Sequence, residues 1–228
     1  MNVEAQVSAA REASYRLAVT PEGTRDAVLL AMAELLTAEE DAILAANERD
    51  ASAARDAGLA APLYKRLLLS KGKIAVMAES LRSVVALPDP IGTTDVIREL
   101  DEGLVLTRVR VPIGVVGVIF ESRPDALVQI ASLAIKSGNA VILKGGSEAK
   151  ESNRTLHELF VRAIREVAPD LADALQLVET REDIAAVLEL DSQIDLMIPR
   201  GSNALVRYIQ QNTRIPVLGH ADGICHLY

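Results

Sequence analysis

From residue 114 onward, short continuous apolar runs alternate with longer segments of helical period, and this alternation narrows the possible folds more than any other feature. GVVGVIF (114–120), AVILK (140–144), ALQLVE (174–179), IDLMI (194–198) and IPVL (215–218) have strand length and lack the in-out alternation of a sheet facing water. Between them lie helical segments near 125–137, 152–167, 181–190 and 203–211. Strands buried on both faces by crossover helices read in this way. The expected class is α/β, a doubly wound and mostly parallel sheet of five strands.

Upstream of this region the period differs. Thr24 is a candidate cap for a long helical stretch in which Val28, Leu29, Met32, Leu35 and Leu36 recur at threes and fours. Ile43 and Leu44 extend the stripe past a break expected at Thr37, and Gly58 ends it. A second stripe, Ile74 to Val85, stops at the prolines of LPDPIG. Period two then sets in over 96–110 around Asp101-Glu102-Gly103, which reads as a β-hairpin. The expected division is a helical segment, 1–95, packed on a Rossmann-like dinucleotide-binding domain, 96–228.

Half of the 228 residues are hydrophobic and aromatics make up only 3%, so the core must be aliphatic. The net charge of −8 argues against nucleic acid as a partner. The acid-bearing N-terminus does not read as a signal peptide, and no apolar run reaches membrane-spanning length. Cys225 is the sole cysteine, which excludes an internal disulfide and suits a cytoplasmic setting.

In doubly wound sheets, ligands sit beyond the carboxyl ends of the strands. Here those ends read Phe120-Glu121-Ser122-Arg123-Pro124, Lys144-Gly145-Gly146-Ser147-Glu148 and Pro199-Arg200-Gly201-Ser202-Asn203. Each offers a cation and a hydroxyl, and the last two offer glycine just before a helix, where backbone N–H groups favour anions. A phosphorylated ligand such as a nucleotide accounts for all three turns. Solvated strand-to-helix turns account for each one separately. Neither G-x-G-x-x-G nor a P-loop is present, and Gly114 and Gly117 are equally consistent with close packing of strand against helix.

FESRPD and LKGGSEA, within the longer stretch 111–153, together with MIPRGSNALVRYI and IPVLGHADGICHLY, resemble the aldehyde dehydrogenase superfamily. Within it they are similar to the gamma-glutamyl phosphate reductases, or glutamate-5-semialdehyde dehydrogenases. The resemblance implies NADPH-dependent reduction of gamma-glutamyl phosphate to glutamate 5-semialdehyde and phosphate, in proline biosynthesis. It implies that Lys144 contacts the adenosine ribose, with Gly146, Ser147 and Glu148 on the same side. It further implies that Gly201 and Ser202 meet the pyrophosphate, that Glu121 and Ser122 border the nicotinamide half, and that Arg123 faces the substrate. A homo-oligomer, and glutamate 5-kinase as a partner, come with the same resemblance.

The family attacks its acyl phosphate with a cysteine thiolate from a motif beyond the Gly-Ile-Cys-His stretch. Cys225 in ICHLY reads instead as a small buried hydrophobe at the start of a strand, with His220 and His226 nearby. The chain is therefore expected to correspond to the N-terminal half of such an enzyme, without its catalytic domain and with no catalytic residue of its own. The alternative is a complete nucleotide-binding or partner-binding module on the same sheet.

Overall fold

The computed structural model describes residues 2–121 and 123–219, excepting the side chain of Arg181. Five helices come first: α1 (Val3–Ala18), α2 (Glu22–Ala38), α3 (Glu40–Asp56), α4 (Ala61–Leu67) and α5 (Lys71–Val85). The hairpin is β1 (Thr94–Asp101) with β2 (Leu104–Val109). The alternating region follows as β3 (Val115–Ile119), α6 (Pro124–Lys136), β4 (Ala140–Lys144), α7 (Lys150–Val167), β5 (Leu175–Leu177), α8 (Arg181–Leu188), β6 (Leu196–Pro199) and α9 (Asn203–Gln211).

The strands pair in parallel in the order β5-β4-β3-β6, so the winding reverses after β5, as a doubly wound sheet requires. Right-handed crossovers put α6 and α7 on one face and send α8 to the other. Outside α6 and α7 lie α2, α3 and α5, while α1 packs across β3, β4 and β5 and against α8. One aliphatic core joins these layers, from Val7 and Leu17 of α1, through Leu29 and Met32 of α2, to every residue of β3 except Gly117. The fifth expected strand is reduced among the described residues to a single parallel bridge between Val217 and Met197.

The expected helix boundaries need two corrections. Thr24 lies inside α2, whose N-cap position is Pro21. Thr37 also stays helical, its hydroxyl donating back to the Ala33 carbonyl, and the break falls at Glu39. The turn there lets both α2 and α3 reach α7.

Buried cations fasten the helical layers. Lys136, the last residue of α6, donates to Glu22 and Asp26 at 2.9 and 2.8 Å and to the Val85 carbonyl at 3.2 Å. Arg25, 2% exposed, donates to the Lys136 and Thr20 carbonyls and to Asp89 at 2.7 Å. A guanidinium on the terminal carbonyl of α6 also suits the negative end of the helix dipole.

Gly114 is close to both Asp195 and the Arg11 guanidinium of α1, the latter 3.2 Å from an added Cβ, while Gly117 is close to a neighbouring strand. Gly114 has φ +125°, and an added Cβ would lie 2.1 Å from Asp195 Oδ2. A Cβ on Gly117 would meet Met197 Sδ at 2.2 Å, a side chain of the neighbouring strand β6.

Candidate dinucleotide site

Strands β3, β4 and β6 run parallel in register, with Ile119 opposite Lys144 on one side and Pro199 on the other. Their carboxyl ends therefore open on one edge, where a cleft of about 630 Å³ forms. Glu121, Lys144, Gly146, Glu148, Gly201 and Ser202, named from the sequence, all line it. Two apolar pairs absent from the sequence reading complete the walls, Ile184 with Ala185 on α8 and Leu205 with Tyr208 on α9. Their signal was weak because each pair occupies one turn of a helix that otherwise reads as sheet cover.

The remaining candidates lie elsewhere. Ser147 lines a smaller pocket of about 170 Å³, which shares Gly146 with the main cleft and adds Lys150, Asn153 and Thr180. Arg123 lies in a neighbouring groove of about 770 Å³ along α6, which the cleft meets at Glu121, Arg200 and Gly201. Its guanidinium pairs with Asp125 at 2.8 Å, and that hydrogen bond raises its pKa. Ser122, His220, Cys225 and His226 lie outside the described residues.

The glycine pair after Lys144 has a packing cause. A Cβ on Gly145 would fall 2.2 Å from Asn153 Nδ2 and 3.0 Å from the Phe120 ring. On Gly146 it would meet the Glu148 carboxylate at 2.3 Å. The turn thus lies tight against α7 and Phe120, with Glu148 folded back over it. Asn153 Oδ1 is a buried side-chain oxygen without a hydrogen-bond partner among the described residues.

Four helices open at this edge, and their first turns differ in charge. α6 carries Asp125 in its first turn. α7 receives the Asp50 carboxylate from α3, which accepts from the Glu151 and Ser152 amides at 3.0 and 2.8 Å and from the Ser152 hydroxyl at 2.6 Å. α8 closes with a capping box between Thr180 and Asp183. Amides of Thr180 and Glu179 hold the Asp183 pKa down despite partial burial, and the Lys144 charge adds to the effect. α9 has no acid in its first turn and is capped by the neutral hydroxyl of Ser202, 3.3 Å from the Leu205 amide. The carboxylate beside this N-terminus comes from the β3 end, Glu121 Oε1 lying 3.7 Å from the Cβ position of Gly201. The α9 amides favour a ligand's negative charge at this border of the cleft.

The Aldehyde dehydrogenase family profile matches residues 1–218. Gamma-glutamyl phosphate reductase 1 of Synechocystis is 53% identical over 96% of this chain and 50% of its own length. The crystal structure of gamma-glutamyl phosphate reductase from Thermotoga maritima superposes with a TM-score of 0.90 at 32% identity, covering 96% of this chain and 53% of that one. The Saccharomyces cerevisiae counterpart gives 0.89 at 43% identity, covering 99% and 57%. The chain thus spans about half the length of the relatives it matches. It belongs to the aldehyde dehydrogenase family, in which these relatives are gamma-glutamyl phosphate reductases.

Proposed function

We propose that this chain forms the cofactor-binding part of a gamma-glutamyl phosphate reductase, which reduces gamma-glutamyl phosphate to glutamate 5-semialdehyde and phosphate in proline biosynthesis. The observation that carries this reading is the convergence of Lys144, Glu148, Gly201 and Ser202 on one cleft, beside the N-terminus of α9, whose first turn bears no acid. NADPH would supply a hydride. Gly201 and Ser202 would hold its pyrophosphate, Lys144 and Glu148 its adenosine ribose, and the apolar pairs of α8 and α9 its adenine ring. Glu121 would border the nicotinamide half.

The choice of NADPH over NADH follows the family resemblance, and the small pocket beside Gly146 offers a place for the additional phosphate. Ser147, Lys150 and Thr180 would there meet a phosphate on the ribose that Lys144 holds. Glu179 also lines this pocket, and its carboxylate is held by Arg154, which donates to it at 2.6 Å. Arg123 would face the acyl phosphate, in reach of a groove that Lys65, Arg66 and Lys73 also line. A phosphate leaving group suits such a cationic surround.

Cys225 does not fall in the motif that carries the family's nucleophile, so the chain is assigned no nucleophile. The purified chain is expected to bind NADPH without catalysing phosphate-dependent oxidation of glutamate 5-semialdehyde by NADP. Turnover abolished by Cys225→Ser would overturn that assignment. Calorimetric titration with NADPH and NADH tests the cofactor reading, which fails if neither binds. Homo-oligomerisation, and delivery of a hydrolysis-prone acyl phosphate by glutamate 5-kinase, complete the proposal.

A further inference from the structure

Asp50 and Asn47 lie three residues apart on α3, on one face of that helix, and both are buried. Asp50 fills the N-terminus of α7 across about a hundred residues of chain. Asn47 donates to the Ser152 hydroxyl at 3.0 Å and to the Leu67 carbonyl at 2.9 Å, and accepts from the Leu69 amide at 2.7 Å. The helix they secure starts directly after the Lys144–Ala149 turn, and Gly145 of that turn is packed on Asn153 of the same helix. A carboxylate supplied from α3 therefore holds α7, and α7 holds the turn.

We propose that Asp50 is a positioning residue for the cofactor: its carboxylate occupies the anion seat of α7, fixes Lys144 and the following turn as a wall of the cleft, and leaves the seat at α9 for the ligand's charge. The proposal rests on the cofactor reading above for its ligand but not for its geometry. An anion at the N-terminus of a helix stabilises it through both the dipole and the unpaired N–H groups. With that seat filled internally and with Ser152 fully buried, the start of α7 cannot compete for a diphosphate. Asparagine at position 50 would turn an amide group toward N–H donors, so Asp50→Asn removes the charge and breaks part of the cap at nearly constant volume.

The test combines hydrogen exchange and NADPH titration on the full chain, at a temperature where circular dichroism shows each variant folded. Asp50→Asn should speed exchange of the amides from Gly146 to Ser152 without a matching change in α5 or α9. It should also weaken NADPH about tenfold, the scale of one charge-assisted hydrogen bond. In a Lys144→Ala background the same substitution should change affinity less than about twofold, because two residues acting through one contact are not additive. An equal loss with and without Lys144, or exchange in the turn unchanged from the wild type, overturns the proposal. If wild-type protein does not bind NADPH, the cofactor reading fails separately. The exchange comparison then decides by itself, local loosening supporting the positioning role and its absence refuting it.

Discussion

Arg11 of α1 grips Asp195 with two hydrogen bonds of 2.7 and 2.9 Å, and Asp195 Oδ2 also accepts from the Val115 amide at 2.7 Å. One carboxylate thereby joins the first helix, the start of β3 and the approach to β6. Gly114 makes room for it: its positive φ and the 2.1 Å approach of Asp195 Oδ2 leave no place for a side chain. Gly114→Ala should cost at least about 2 kcal/mol, from a strained backbone and a displaced, partly exposed acceptor of the Val115 amide. Asp195→Ala should cost a similar amount by leaving the Val115 N–H without its partner. Urea denaturation reads both, and a midpoint within error of wild type for Gly114→Ala would show that the carboxylate can move without cost.

Lys144 and Ser202 border the cleft from different strand ends, so their substitutions should differ in kind. Lys144→Ala should weaken NADPH by about 1–3 kcal/mol with little effect on stability, as expected for a lost charge-assisted contact. Ser202→Ala should lower stability by about 1 kcal/mol through the lost cap of α9, and weaken binding as well. Lys150→Ala should leave NADH binding unchanged while weakening NADPH, because only NADPH carries the additional phosphate. Calorimetry with both nucleotides separates these effects. Equal loss for NADH and NADPH would take Lys150 out of the phosphate pocket.

Burial raises the Asp89 pKa, but the Arg25 guanidinium and the Ile91 amide outweigh it, and the net value falls below 3.8. Burial lowers the Lys136 pKa, but Asp26 and Glu22 outweigh it, and the net value rises above 10.5. A depressed carboxyl contributes stability above its unfolded pKa and loses it as pH falls through the folded value. A raised ammonium contributes below its unfolded pKa and loses it as pH rises through the folded one. Stability from this network should therefore hold between about pH 4 and pH 10 and fall off on both sides. Asp89→Asn should be less stable than wild type at pH 7 and show a shallower acid limb in urea midpoints from pH 7 to pH 2.5. Parallel acid limbs would remove Asp89 from the account.

The parallel strands could be read from sequence because burial on both faces leaves an uninterrupted apolar run, and β4 runs from Ala140 to Lys144 as expected. α9 was equally plain, with Ser202 ahead of a periodic segment. α4 is not legible in the sequence because seven residues that include Pro62 give too few turns for a period to show. IPVL looked like a strand, yet beside β6 only Val217 forms a bridge. In the site, strand ends announced Lys144 and Gly201 because topology alone sends them to one edge. Asp50 was silent, since its partners Glu151 and Ser152 are 101 and 102 residues away and nothing local marks a carboxylate that caps another helix. The glycines were ambiguous for a related reason. Gly114 answers to Asp195 and Gly145 to Asn153, neighbours that only the folded chain supplies.

The hairpin raises the question of what covers it. Every residue of β2 is exposed, and so is every residue of β1 but one that is partly covered. Ile97 is 73% exposed and Val105 56%. The register pairs Ile97 with Thr107 and Glu99 with Val105, so Ile97 and Val105 share one face of the ribbon. A two-stranded ribbon is marginal in water by itself, and its free edges and apolar side chains favour association. A second copy of this chain pairing along the hairpin would satisfy both. Light scattering across a concentration series should show a mass above the monomer that grows with concentration. The double substitution Ile97→Lys, Val105→Lys should hold the chain at monomer mass with an unchanged far-ultraviolet spectrum, since neither side chain enters the core. A wild-type chain of single monomer mass at every concentration would remove the hairpin as a self-association surface.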